Sequence, residues 1–232
     1  MIAEIRAALE GTTPDRAVRE QLERFVALLL ERNVAMNLSS ARDPQAVGAH
    51  VRDSLAIAPY VRDPLVDIGS GGGFPAIVLA IASGVRATLI ESTAKKARFL
   101  ESVVAELGLP VVVRAQRAEE AARDPELRGS FASATARAVG SAPTVIELTI
   151  PFLAVGGLAV LQRGRLDERE RQAAADAALV LGAEVEGEVP APPGDERRVL
   201  LVRKLAPTGG RFPRRAGIPE KRPLCLEGGA DG

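Results

Sequence analysis

Four glycines fall within five residues in the stretch LVDIGSGGGFPAIVLAIAS: Gly69, Gly71, Gly72 and Gly73. A buried apolar strand runs into them and an apolar helix runs out. Glycine weakens both kinds of element, so its concentration here needs a cause. The cause is a backbone that must turn sharply and leave room for something lying on it. A strand, a glycine-rich turn and a helix form the nucleotide-binding unit of open α/β sheets, with the ligand at the carboxyl ends of the strands.

Two ligands compete for that turn. The run from Gly71 to Ala76 matches the dinucleotide pattern G-x-G-x-x-A, which is weak evidence by itself. Asp67 stands at the strand end, where a carboxylate repels a pyrophosphate and attracts a cation. S-adenosylmethionine carries an ammonium and a sulfonium, so Asp67 favours it. The second strand ends in Glu91, 22 positions after Gly69, the offset at which an acid accepts from ribose hydroxyls. Both cofactor classes offer those hydroxyls. After the third strand, Ala118 is expected to bring a backbone N–H to an adenine ring and Glu119 to accept from its amino group. The plain alternative makes Glu119 and Glu120 a solvated helix start.

The remaining pattern supports a sheet around this unit. Short apolar runs at residues 65–68, 87–90, 111–113, 132–136, 158–161 and 199–202 are predicted strands. Amphipathic helical stretches at 94–107 and 168–179 separate some of them. Alternation of this kind predicts a parallel sheet covered on both faces, an α/β fold. Runs 185–189 and 199–202 flank PAPPGDER and predict an antiparallel last strand. The first sixty residues are predicted helices, one with Thr13 and Pro14 as cap and first residue and extending to about Asn33, a second opened by Pro44. Asn33 and Asn37 read as helix-end residues. The expected divisions are a helical extension (1–62), a Rossmann-like core (63–205) and a basic tail (206–232).

Composition sets limits. The chain has 232 residues and is 47% hydrophobic, enough for one full core. No apolar run reaches ~18 residues, so no membrane span is expected. Cys225, the single cysteine, cannot form an internal disulfide, and a cytoplasmic location is the default. No metal-ligand spacing stands out, and a monomer is expected. Net charge is zero, but residues 197–222 hold nine Lys or Arg against one acid, Glu220, leaving about eight net negative charges elsewhere. Arg197, Arg198, Arg203, Lys204, Arg211, Arg214, Arg215, Lys221 and Arg222 form the localised anion-binding face this implies, and are the RNA-binding candidates if that anion is a nucleic acid. The segment after residue 205, rich in Pro, Gly and Arg, is flexible by composition.

For substrate chemistry, the fourth strand ends ATARAVGS and lacks the Asn/Asp-Pro-Pro-aromatic motif of amino-group methyltransferases. Cys225 lies in a polar tail, a poor place for the thiolate that C5-pyrimidine methylation needs. Arg137 remains, at the mouth of the expected site, able to hold a carboxylate or phosphate through its fork. It is the catalytic candidate. His50, near Asp53 on the second helix, is a possible base, with a satisfied core or surface histidine as the plainer reading.

Five segments then resemble one family. They are RNVAMNLSSARDP, HVRDSLAIAPYV, VDIGSGGGFPAIVLA, LIESTAKKARFL and the ending VRKLAPTGGRFPRRAGIPEKRPL. The chain resembles the glucose-inhibited division protein B family of ribosomal RNA small-subunit methyltransferases. The resemblance implies a class I methyltransferase fold and S-adenosyl-L-methionine-dependent methylation of guanosine N7 in the 530 loop of 16S rRNA, on the RNA or the small ribosomal subunit. It implies cofactor contacts at Gly69, Phe74, Glu91, Ser92, Thr93, Ala118, Glu119 and Arg137, to which the reading of the glycine turn adds Asp67, Gly71 and Gly73. Two departures stand out: Ala76 where the family usually has Gly, and Arg32 where an aromatic often precedes the first Asn. Another RNA substrate, an oxidoreductase and a non-enzymatic RNA-binding protein are the alternatives.

Overall fold

The computed structural model describes residues 2–13, 15–191 and 197–225. Seven strands form one sheet in the order β3-β2-β1-β4-β5-β7-β6. Strands β1 (Leu65–Ile68), β2 (Ala87–Ile90), β3 (Val111–Arg114), β4 (Phe131–Arg137) and β5 (Leu153–Gly164) are parallel. Strand β7 (Arg197–Lys204) lies antiparallel between β5 and β6 (Ala183–Pro190). The chain moves outward from β1 through β2 to β3, then returns to place β4 on the other side of β1. The β1–β4 boundary is thus the switch point, where strand-end loops diverge and leave a crevice.

Helices cover both faces. Helices α1 (Ile2–Ala8), α2 (Arg16–Met36), α3 (Pro44–Ala56), α4 (Ala76–Ser83) and α5 (Ala94–Leu107) contribute to one buried cluster; α6 (Ala118–Ala121), α7 (Ala142–Thr149) and α8 (Glu168–Val180) contribute to the other. The strands divide by their two-residue period. Val66, Ile68, Ala134, Ala136, Ala159 and Leu161 face the second cluster. Leu65, Leu158 and Val160 face the first. The same alternation sends Asp67, Thr135, Arg137 and Gln162 toward the N-terminal helices. The pleat thereby selects which strand ends face α3.

Several local expectations change. Helix α2 is capped by Asp15, which accepts from the N–H groups of Ala17 and Val18, and not by Thr13; Pro14 lies outside the described residues. An aspartate two positions nearer the helix does the capping. Asn37 ends α2 in the left-handed region at φ 50°. Asn33 is instead buried inside the last turn. Its amide donates to the carbonyls of Ser39 and Ala41, and its carbonyl accepts from Leu38 and Ser39 N–H. One side chain therefore builds the α2–α3 connection. The expected turn between β6 and β7 includes residues 192–196, outside the described residues.

Candidate functional site

The glycine turn has measurable reasons for its composition. Gly69 has φ +70°, and a Cβ there would lie 2.8 Å from Val139 Cγ2. Gly73 has φ +95°, with Ile77 Cγ1 at 2.8 Å from a Cβ. Both positions exclude a side chain on backbone and steric grounds. Gly71, at φ +54°, donates its N–H to Glu91 Oε2 at 2.9 Å. Glu91 Oε1 accepts from Thr93 N at 2.7 Å. The acid at the end of β2 thus ties the turn to the next loop. Each of its oxygens keeps a further lone pair for a ligand hydroxyl.

Beyond Glu91 lies a cavity of about 350 Å³ lined by Ser92, Thr93, Ala118 and Glu119, with Pro219 and Glu220 on its far side. A second cavity of about 710 Å³ adjoins it through Gly69, Lys96, Ala138 and Gly140. Together they form one cleft along the strand ends, centred on the switch point.

Asp67 is buried beneath the turn. Thr135 Oγ1 donates to its Oδ1 at 2.7 Å, and Oδ2 has no partner among the described residues. Burial pushes its pKa up to about 7, against the Thr135 hydrogen bond and the nearby Arg137 charge. The Arg137 guanidinium stands 5.0 Å from the Phe74 ring centroid. Burial lowers the pKa of Arg137, and Asp67 opposes that shift. His50 packs on the other side of the same aromatic cluster, its ring centroid 5.4 Å from that of Phe74. Desolvation, with the charges of Arg137 and Arg197, lowers its pKa to about 4. It is neutral at physiological pH and too weak a base for general-base duty.

The outer wall of the cleft comes from α3 and the ends of β5 and β7. Gln162 pairs in register with Arg137, and its Nε2 donates to the Asp53 carbonyl at 2.9 Å. Arg197 forms an ion pair with the buried Asp53 carboxylate. Asp43 positions α3 by capping it at Ala46 N, with Pro44 as the first helical residue. Gly48 lets α3 approach α1, since a Cβ there would lie 2.7 Å from the Ala8 carbonyl oxygen. Gln162 and Ala138, the latter in the left-handed region at φ 57°, were not singled out by the sequence reasoning. The signal for Gln162 was a polar residue closing an apolar strand, the same signal that marked Arg137.

Comparison with known proteins decides the family. One family model, GidB, described as rRNA small subunit methyltransferase G, matches residues 18–198. The ribosomal RNA small subunit methyltransferase G of Rubrobacter xylanophilus is 42% identical over 226 residues, covering 90% of this chain and 86% of that one. That of Sorangium cellulosum is 41% identical over 218 residues, covering 90% of each. The chain belongs to the GidB family. Among solved structures it is similar to a branched-chain polyamine synthase from Thermus thermophilus (TM-score 0.58, 15% identity, 83% of this chain and 65% of that one). It is also similar to a SAM-dependent O-methyltransferase from Thermotoga maritima (TM-score 0.51, 19% identity, 77% and 71%). At such identities the likeness concerns fold alone, and the sheet has the class I methyltransferase form.

In this GidB chain residues 206–225 form a strap, not a flexible tail. Phe212 is buried in the second cluster. Arg214 donates through Nε and a terminal nitrogen to the wholly buried Glu147, with a shortest distance of 2.6 Å. Arg128 donates to the carbonyls of Thr208 and Phe212. Thr144 Oγ1 donates to the Pro219 carbonyl at 2.9 Å. Composition could not reveal this order, because the groups that hold Phe212, Arg214 and Pro219 lie far away in the sequence.

Two of the candidate RNA-binding cations are committed to the interior, and a third is paired at the surface. Lys204 is 3% exposed and donates to the Leu153 carbonyl at 2.6 Å; burial lowers its pKa to about 8. Arg214 is committed to Glu147. Arg203 is paired with Glu186 at the opposite end of β7 from Arg197, roughly 20 Å away at ~3.4 Å per residue. Neighbours in sequence became distant because β7 runs away from the cleft. Glu119 lines the smaller cavity and is buried, not a solvated helix start; its Oε1 accepts from Gly217 N at 2.8 Å, so the same acid anchors the strap. Arg197, Arg198, Arg211, Arg215, Lys221 and Arg222 have accessible surface. Among the described residues no helix is long and apolar enough to cross a membrane, and no group of three potential metal ligands occurs.

Proposed function

We propose that the chain, acting as a monomer, transfers a methyl group from S-adenosyl-L-methionine to N7 of a guanosine in the 530 loop of 16S rRNA. The carrying observation is the match to the rRNA methyltransferase family across residues 18–198, with the glycine cradle at the switch point of the sheet. The atom and the loop follow from membership of that family.

The residues fit the cofactor. Gly69 leaves space where a side chain would collide, and the orphaned, buried Asp67 Oδ2 suits an ammonium. Glu91 has lone pairs for ribose hydroxyls, Ser92, Thr93 and Ala118 border the adenosine side, and Gly71, Gly73 and Phe74 shape the cradle. The bound cofactor supplies a sulfonium methyl as electrophile. Guanine N7 has an in-plane lone pair and no proton to lose. The protein's task is alignment and exclusion of water, which proximity and orientation can supply. A neutral His50 and the absence of a required base are consistent. Arg137 orients the cofactor carboxylate or the base. Phosphates meet Arg197 and Arg198 at the cleft, and Arg211, Arg215, Lys221 and Arg222 on the strap.

Two measurements test this reading. Calorimetry should show binding of S-adenosylhomocysteine and none of NAD. Mass mapping of 16S rRNA nucleosides from a deletion strain should show one missing 7-methylguanosine, restored by the intact gene. Binding of NAD alone, or an unchanged nucleoside map, contradicts it.

A further inference from the structure

The outer wall of the cleft holds two buried acceptors with no partner. Asp53 is 5% exposed and its Oδ1 is unbonded; Gln162 is 9% exposed and its Oε1 is unbonded, among the described residues. Both line the larger cavity. They are joined to each other, since Gln162 Nε2 donates to the Asp53 carbonyl. Arg197 holds the other carboxylate oxygen of Asp53. Buried acceptors left unpaired cost free energy, so a pair of them on a cleft wall asks for a ligand edge with two donors. Arg137, in register with Gln162 and set over the Phe74 ring, adds guanidinium donors to the same cavity.

The four RNA bases differ on this pattern. Guanine alone presents two adjacent donors, N1–H and the N2 amino group, followed by the acceptor O6. Adenine and cytosine each place an acceptor beside a single amino group, and uracil flanks one donor with two acceptors. A wall with two acceptors and a cation beside them is complementary to guanine.

We propose that Asp53 and Gln162 read the Watson–Crick edge of the target guanine, accepting from N1–H and the N2 amino group, while Arg137 donates to O6. The proposal rests on the methyltransferase reading above and names its specificity residues. It also explains regioselectivity. N7 lies on the imidazole side of the base, away from N1 and N2. Seating those two atoms against α3 and the end of β5 turns N7 toward the glycine cradle.

The test uses small subunits reconstituted with 16S rRNA carrying guanosine or inosine at the target. Inosine keeps N7, O6 and N1–H and lacks only the N2 amino group. The parent protein should prefer guanosine by about tenfold in kcat/KM, the scale of one lost hydrogen bond. In Gln162→Leu or Asp53→Asn, whichever residue meets N2, the preference should fall to near one. The other variant should slow both substrates. Affinity for S-adenosylhomocysteine should stay within about twofold of the parent in each. Gln162→Leu leaves the Asp53–Arg197 ion pair in place, so it gives an answer even where Asp53→Asn folds poorly. A parent without preference, or a preference intact in both variants, overturns base reading by these residues while leaving methyl transfer standing. A parent that methylates neither substrate overturns the methyltransferase reading, and this proposal with it.

Discussion

Asp67 stands at the end of a central strand, shielded on both sides, so water cannot stabilise its charge. Its pKa, pushed up to about 7 by burial, exceeds the ordinary value of 3.8. The folded state therefore binds the proton more tightly than the unfolded state. Stability of the unliganded protein should fall as pH rises from about 4 to about 7 and level off above that window. Asp67→Asn should remove this component, raising stability relative to the parent at pH 8 by on the order of 2–4 kcal/mol and leaving pH 4 unchanged. Thermal melts of both proteins across pH check it. Cofactor affinity should move the other way. Ionised Asp67 pairs with an ammonium, so binding should strengthen through pH 7 in the parent and stay flat in Asp67→Asn. Arg137→Ala belongs to the same scale. It should lower methyl transfer by tenfold or more while bulk RNA affinity changes little, since that affinity comes from many phosphate contacts. Full turnover in the variant would make Arg137 a structural partner of Phe74.

The strap is the element whose role changed most between sequence and structure. Its short helix α9 (Ile218–Lys221) carries Pro219 and Glu220 to the edge of the smaller cavity. It is held from beneath by buried acids. Glu147 is fully buried and has Arg214 as its cationic partner. Removing that partner strands a buried charge, at a cost of about 3–5 kcal/mol. Arg214→Ala should therefore lower the urea midpoint markedly, whereas Arg215→Ala, on an exposed residue of the same segment, should shift it by less than about 0.5 kcal/mol. Thr144→Val loosens only the Pro219 end. It should weaken S-adenosylhomocysteine binding by a few-fold with little change in global stability. Equal midpoints for Arg214→Ala and Arg215→Ala would show the strap docked by other contacts.

At the level of the whole molecule, a chain of zero net charge must present a basic face to RNA while the rest of its surface is acidic. The fold divides the basic residues into two groups. Lys204 and Arg214 serve internal pairing and Arg203 pairs with Glu186 at the far end of β7; Arg197, Arg198, Arg211, Arg215, Lys221 and Arg222 keep exposed surface. Neutralising Arg211 and Arg215 together should leave cofactor affinity intact and make the slope of log K against log salt shallower by up to ~0.7 per lost phosphate contact. Neutralising Arg203 should leave the slope unchanged. A filter-binding titration against 16S rRNA separates the two. A slope equally affected by both changes would remove the distinction between the strap cations and Arg203 at the far end of β7.

Local rules were enough for the elements and for the cradle. Strands β1 and β2 and helix α5 match their expected limits, because apolar period and bounding turns are properties of adjacent residues. The glycine cradle and Glu91 were legible for the same reason: positive φ and strand-end placement are encoded within a few positions. What the sequence could not determine was anything set by which distant residue comes to rest beside which. The Asp53–Gln162 wall joins residues 109 apart, and neither residue carries a local mark of the other. Arg214 has the same composition signature as Arg215, yet one is bound to a buried acid 67 positions away and the other is exposed. Charge read along a chain cannot tell a cation offered to a ligand from one consumed in the core. That choice depends on desolvation and pairing, which exist only once the tertiary structure has formed.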